Sequence, residues 1–115
     1  MRAALVLLLA LAAPPALAAT GEELFNAQCG DCHTVGDAST DQGPSLKGVV
    51  GRPVAGAKDF AYSDALKAKG GTWTEAGLDA FLANPNATVP GTAMFGGAPV
   101  AEDRAAIIAY LKTVK

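Results

Sequence analysis

Histidine and cysteine are scarce in this 115-residue sequence: His33 is the only histidine, and Cys29 and Cys32 are the only cysteines. A tetrahedral zinc site needs about four ligands, so a site built from these residue types alone is excluded. The sequence also shows no Ser/His/Asp set and no paired acid–base site. We therefore expect that the chain is not an enzyme.

An excess of positive charge is also lacking. Nine Lys and Arg residues face eleven Asp and Glu residues, which gives a net charge of −2. Proteins that bind nucleic acid or anionic membrane surfaces through electrostatics usually carry a basic excess. We expect no nucleic-acid partner.

The longest apolar run is too short to span a membrane. Residues 3–13 consist of Ala, Leu and Val, whereas a spanning helix needs roughly 20 apolar residues. The basic start at Met1-Arg2 and the small residues of Ala16-Leu17-Ala18 are typical of a secretory signal peptide. We predict a signal peptide at 1–18, one domain at 19–115 with net charge −3, periplasmic location and no stable membrane insertion. An uncleaved, peripherally anchored form is the alternative.

What the sequence does contain is the motif Cys29-Gly30-Asp31-Cys32-His33. C-x-x-C-H is the attachment signature of a c-type haem, in which two thiols bind one porphyrin and the histidine binds its iron. A disulfide of the thioredoxin type is the alternative, but it belongs in a βαβ setting, and no strand pattern is found. We predict one covalent haem c.

Four helices are predicted after the signal peptide. They are an amino-terminal helix with a capping box at Thr20 and Glu23, a short helix over 62–68, a third with a capping box at Thr72 and Glu75, and a last helix over 101–113. Glycine and proline predict irregular chain over 34–56 and 86–99. Such long loops fit a small domain if they pack against a cofactor.

Met94 is the only methionine outside the predicted signal peptide. It lies in the loop Pro90-Gly91-Thr92-Ala93-Met94 rather than on a helix face. A methionine is often only core filler, but here it is the best candidate for the second axial ligand of a haem iron. The alternatives are Lys, water or an open position.

These motifs, in this order, resemble the class I c-type cytochromes of the mitochondrial and bacterial periplasmic branch. The resemblance rests on the haem motif, the ligand loop and the segments 43–48, 60–63, 84–85 and 107–112. It implies an all-α, haem-wrapping fold with crossed first and last helices and long irregular loops. It also implies contact of Gly21 and Phe25 with Ile107 and Tyr110.

The same resemblance implies roles for five residues around the haem. Pro44 should accept a hydrogen bond from the outer nitrogen of His33. Hydrogen bonds to the haem propionates should come from Arg52, Tyr62, Trp73 and Thr92.

The implied function is that of a monomeric single-electron carrier with His/Met-ligated haem. Its partners would be redox proteins such as a bc1-type complex, an oxidase, a reductase or a dehydrogenase. Two alternatives stay open. One is a subunit dedicated to one dehydrogenase or oxidase, and the other is a haem protein whose labile Met94 permits peroxidase activity or gas binding.

Overall fold

The structure is a computed structural model that describes residues 17–115, so most of the predicted signal peptide lies outside the described residues. The described chain forms five helices: α1 (Gly21–Gln28), α2 (Asp64–Lys69), α3 (Glu75–Ala83), α4 (Pro85–Thr88) and α5 (Ala101–Thr113). It forms no strand, although Pro53 and Thr72 pair in an isolated β-bridge. Each of these helices is too short or too polar to cross a membrane. The expected all-α fold class is confirmed.

The capping box predicted for α1 is present. The Thr20 hydroxyl accepts a hydrogen bond from the Glu23 amide at 3.2 Å, and the Glu23 carboxylate accepts one from the Thr20 amide at 3.3 Å. These reciprocal bonds satisfy two amide groups that have no partner inside a helix. They fix the residue at which α1 begins. Cys29, the first cysteine of the haem motif, caps the carboxy-terminal end of the helix.

The first and last helices pack directly against each other, as expected. A Cβ atom on Gly21 would overlap the Ala106 carbonyl oxygen and lie 2.9 Å from Cβ of Tyr110. The rings of Phe25 and Tyr110 also meet, with centroids 5.7 Å apart. Gly21 therefore allows α1 to approach α5 closely at Ala106 and at the expected Tyr110.

The middle of the chain differs in detail from the prediction. Thr74, not Thr72, caps α3, because its hydroxyl accepts a hydrogen bond from the Gly77 amide at 3.0 Å. Thr72 instead forms the bridge with Pro53. The short helix α4, capped by Asn84, lies where irregular chain was predicted.

The hydrophobic core lies between α1, α3 and α5. It is formed by apolar side chains that are almost fully shielded from water, including Phe25, Leu78, Phe81, Leu82, Ile107, Ile108 and Leu111. The irregular segments on either side of α2–α4 fold over the remaining faces. This leaves a cavity between the core and the loops.

Candidate functional site

A cavity of about 420 Å³ lies between the end of α1, the inner face of α3 and the loops on either side. Its wall includes every residue predicted for the site: Cys29, Cys32, His33, Pro44, Arg52, Tyr62, Trp73, Thr92 and Met94. Most of the rest of the wall is apolar, with leucine and phenylalanine side chains from α2, α3 and α5. Residues far apart in sequence thus meet around one partly open cavity.

The two cysteines and the histidine lie on one turn that follows α1. The Cys29 carbonyl accepts hydrogen bonds from the amides of Cys32 at 3.2 Å and His33 at 2.9 Å. Cys29 and Cys32 form no disulfide. Burial raises the pKa of Cys29 to about 11, so its thiol is protonated at neutral pH. The turn therefore presents two cysteine side chains and an imidazole to the same cavity.

The His33 ring is fixed by a hydrogen bond of 2.8 Å between Nδ1 and the Pro44 carbonyl oxygen. Since a carbonyl can only accept, Nδ1 carries the proton and Nε2 keeps its lone pair. Burial lowers the pKa of His33, more than offsetting the opposite effect of the Pro44 bond, and Arg52 lowers it further. His33 is therefore a neutral imidazole with one nitrogen free to bind a metal.

Gly43 supports the His33 ring in a way that the sequence analysis missed. A Cβ atom at Gly43 would lie 2.7 Å from Cε1 of His33 and 2.8 Å from the Cys32 carbonyl oxygen. Thr40 adds support, because its hydroxyl donates to that same oxygen at 2.5 Å and accepts from the Gly43 amide at 3.1 Å. The only sign of this support in the sequence is the glycine directly before Pro44.

Arg52 reaches the cavity from the loop after Gly51. Its Nη1 donates to the carbonyl oxygens of Ser45 at 2.8 Å and Lys47 at 3.2 Å. Its Nε is buried without a hydrogen-bond partner among the described residues. Burying such a donor unpaired costs roughly 1–3 kcal/mol, so this atom needs an acceptor that the protein itself does not provide.

Tyr62 and Trp73 complete this end of the cavity. The Tyr62 hydroxyl accepts a hydrogen bond from the Ala57 amide at 3.0 Å, which leaves its own proton for another acceptor. Trp73 is buried against Phe81, with ring centroids 5.0 Å apart. The Trp73 amide donates to the Arg52 carbonyl at 2.9 Å, which holds the two segments side by side.

Met94 lies in the loop that closes the cavity from the other side. The Met94 amide is 3.4 Å from the Thr92 hydroxyl, a long hydrogen bond. Thr92 is buried, Met94 is half-buried, and the next side chain, Phe95, is 92% exposed. The loop thus places a thioether in the cavity and an exposed aromatic ring, Phe95, at the edge of the cavity.

This donor set fits an iron porphyrin. Two thiols can bind its edge, an imidazole and a thioether suit its iron, and the unpaired Arg52 Nε suits an acidic substituent. The apolar walls suit its flat face.

Comparisons with known proteins agree with this chemistry. The sequence profile of the family described as Cytochrome c matches residues 18–115. Cytochrome c of Tetrahymena pyriformis is 48% identical over 102 residues, which are 88% of this chain and 92% of that protein. The structure of cytochrome cH from Methylobacterium extorquens is similar at a TM-score of 0.74 and 46% identity, covering 81% of this chain and 94% of that one.

A longer relative also matches. Cytochrome c-type cyt cy of Rhodobacter capsulatus is 49% identical over 98 residues, which are 84% of this chain. The match spans 49% of that protein, so this chain corresponds to about half of its length. The profile match over nearly all described residues and these identities show that the chain belongs to the cytochrome c family of haem electron carriers, with haem c bound covalently through Cys29 and Cys32.

Proposed function

We propose that this chain is an exported, periplasmic single-electron carrier in which His33 and Met94 are the two axial ligands of the haem iron. The observation that carries the proposal is that both side chains line one cavity with the two attachment cysteines. Imidazole and thioether form the ligand pair of electron-transferring c-type cytochromes. The bound haem would supply an iron that accepts and returns one electron.

His33 would bind through Nε2, because Nδ1 is committed to the Pro44 carbonyl. Such an outer hydrogen bond fixes the orientation of the ring and raises the basicity of the ligating nitrogen. Gly43 keeps the space that the ring needs. The His33 side of the site is therefore preorganised for a metal.

Met94 would occupy the opposite position and saturate the iron. No substrate or gas could then bind without displacing a protein ligand, which suits electron transfer and opposes catalysis. The half-buried Met94 side chain and the buried Thr92 next to it keep this side poor in water.

The acidic substituents of the haem would be held at the Arg52 end of the cavity. Nε of Arg52 and the Tyr62 hydroxyl proton are the donors best placed for them. Trp73 and Thr92 also line the cavity and are proposed to donate as well. An unpaired carboxylate in this apolar setting would be costly without such donors.

Export is proposed from the amino-terminal segment alone. Cleavage after Ala18 would give a mature chain that begins at Ala19. Mass spectrometry of the purified periplasmic protein tests this. A mature chain that retains residues 1–18 would favour the anchored form instead.

The redox partners are proposed to dock without a strong ionic contribution. Most basic side chains of the described residues are already paired with acids or held in the fold: Lys47 with Asp37, Lys67 with Asp64, Arg104 with Asp79, Lys112 with Glu75, and Lys69 over the Trp73 ring. Pairing leaves little free positive field to steer an acidic partner. Electron-transfer rates with an oxidase or a bc1-type complex should therefore change little with ionic strength.

A redox titration with absorption spectra recorded throughout tests the proposal. We expect one reversible one-electron step and, in the ferric form, a low-spin spectrum with a weak thioether-to-iron charge-transfer band. Met94→Ala should lose the band and bind carbon monoxide in the ferrous form. A high-spin wild-type spectrum that shifts with carbon monoxide would contradict the proposal and favour gas binding or peroxidase activity. Constant co-purification with one enzyme would favour a dedicated subunit.

A further inference from the structure

We infer that Arg104, in the first turn of α5, is a positioning residue that holds the Met94 loop, residues 92–100, against the cavity. It sets how often Met94 leaves the iron. The inference rests on the proposed role of Met94 as a ligand. Arg104 itself does not line the cavity, so it acts through the loop.

One guanidinium group connects three parts of the molecule. Nη1 of Arg104 donates to the carbonyl oxygens of Ala98 at 3.1 Å and Pro99 at 2.9 Å. Nε donates to Oδ1 of Asp79, on α3, at 2.9 Å. The Arg104 side chain is only 13% exposed, so these charge-assisted bonds are partly shielded from water and stronger than at an open surface.

The same end of the loop is also tied to the end of α3. The Ala98 amide donates to the Leu82 carbonyl at 2.8 Å, and Ala98 is fully buried. A Cβ atom at Gly97 would overlap that Leu82 oxygen. Glycine at this position therefore allows the loop to lie directly on α3, where Arg104 then holds it.

Between its two ends the loop is weakly held. The Thr92 amide donates to the Val89 carbonyl at 3.0 Å, which fixes the first end. Among the described residues, the amides of residues 93–97 make one hydrogen bond, the 3.4 Å contact of Met94 with Thr92. The position of Met94 therefore depends on the bonds at the ends, and Arg104 contributes two of them.

The test is the rate at which cyanide binds to the ferric holoprotein, since cyanide requires release of Met94. Arg104→Met should bind cyanide about 10- to 100-fold faster, because three charge-assisted hydrogen bonds are lost. Asp79→Asn should have a smaller effect, since the bonds to the loop carbonyls remain. Arg104→Lys should be intermediate, because one ammonium cannot replace all three bonds.

Lys112→Met is the matched control. Lys112 also connects α5 to α3, through a 3.2 Å ion pair with Glu75, but it touches no part of the Met94 loop. It should change the rate less than twofold. If Lys112→Met accelerates binding as much as Arg104→Met, or if neither Arg104→Met nor Asp79→Asn accelerates it, the inference is overturned.

The wild-type protein separates this inference from the proposed function. If its ferric spectrum lacks the thioether band and it binds cyanide as fast as Met94→Ala, the proposed ligation fails and the inference fails with it. If the wild-type band is present and neither Arg104→Met nor Asp79→Asn accelerates cyanide binding, only the inference is overturned. Asp79→Asn retains Arg104 and serves where Arg104→Met does not fold.

Discussion

On the His33 side of the cavity, the ring and its hydrogen-bond acceptor Pro44 lie eleven residues apart in one loop. On the Met94 side, the loop is held by Leu82 on α3 and Arg104 on α5. Short-range bonds within one loop support the first ligand, whereas packing of separate helices supports the second. The first depends on local sequence and the second on tertiary structure.

This difference assigns different tasks to the two ligands. A side chain fixed by several local bonds stays in place when distant elements shift, whereas a loop held at its ends opens more readily. His33 is therefore expected to remain on the iron, and Met94 to be the ligand that leaves.

The largest effect is expected at Gly43. Gly43→Ala places a methyl group against the His33 ring and the Cys32 carbonyl, which should destabilise the holoprotein by about 1–3 kcal/mol. Guanidinium unfolding measures this. Gly96→Ala, on the Met94 side, is the control, because no atom lies within 4 Å of the position that its Cβ would take, and it should cost less than about 0.5 kcal/mol. Equal losses would show that contact with the His33 ring and the Cys32 carbonyl is not what makes the Gly43 substitution costly.

Thr40→Val should have the next largest effect. The substitution removes the 2.5 Å bond to the Cys32 carbonyl and the 3.1 Å bond from the Gly43 amide, at a cost of about 1–2 kcal/mol. The thioether band should be unchanged, since the Met94 loop is not touched. Thr113→Val, which loses one exposed bond to the Tyr110 carbonyl, is the control. A lost band in Thr40→Val would show that the two sides are coupled.

Phe95→Ala should hardly change stability, because the ring is 92% exposed. We expect less than about 0.5 kcal/mol. Its effect should appear in electron transfer to a redox partner, slowed at least about fivefold if the Met94 side forms the docking face. Val100→Ala is the control, since Val100 is also exposed but lies outside the cavity wall. Equal rates for wild type and Phe95→Ala would place docking elsewhere.

The smallest effect concerns Asp59, which acts on the His33 side. Hydrogen bonds from the Ser39 hydroxyl and amide lower the pKa of Asp59, with a minor contribution from Arg52. A lowered pKa stabilises the fold above the unfolded pKa of about 3.9, and that stability is lost as the pH falls through the folded pKa. Asp59→Asn should therefore show a slightly flatter loss of stability below about pH 4. An identical acid profile would rule out this contribution.

The sequence predicted the fold where the determinants were local. Thr20 and Glu23 are three residues apart, and their capping box is present. The helix over 101–113 has the predicted bounds. The nine predicted site residues all line the cavity, and their roles toward the haem stay predictions.

The features that the sequence did not predict depend on contacts between residues far apart in the chain. Thr72 and Thr74 both suit the start of α3, and pairing of Thr72 with the distant Pro53 favours Thr74 as the cap. Gly97 looks like a turn residue until Leu82 is placed beside it. Arg104 looks like an ordinary surface residue of a helix, because its acceptors come from α3 and from the loop before α5.

Native-state hydrogen exchange of the holoprotein tests most directly whether the Met94 side of the cavity opens more readily than the His33 side. The amides of Leu46, bonded to Thr34, and Ala98, bonded to Leu82, both make hydrogen bonds of 2.8 Å, and Ala98 is the more deeply buried. Burial alone would protect Ala98 more. We predict that Ala98 exchanges at least about tenfold faster, through opening of the Met94 loop, and that Arg104→Met accelerates Ala98 alone. Equal protection of the two amides, or slower exchange at Ala98, would contradict the claim that the Met94 side opens more readily than the His33 side.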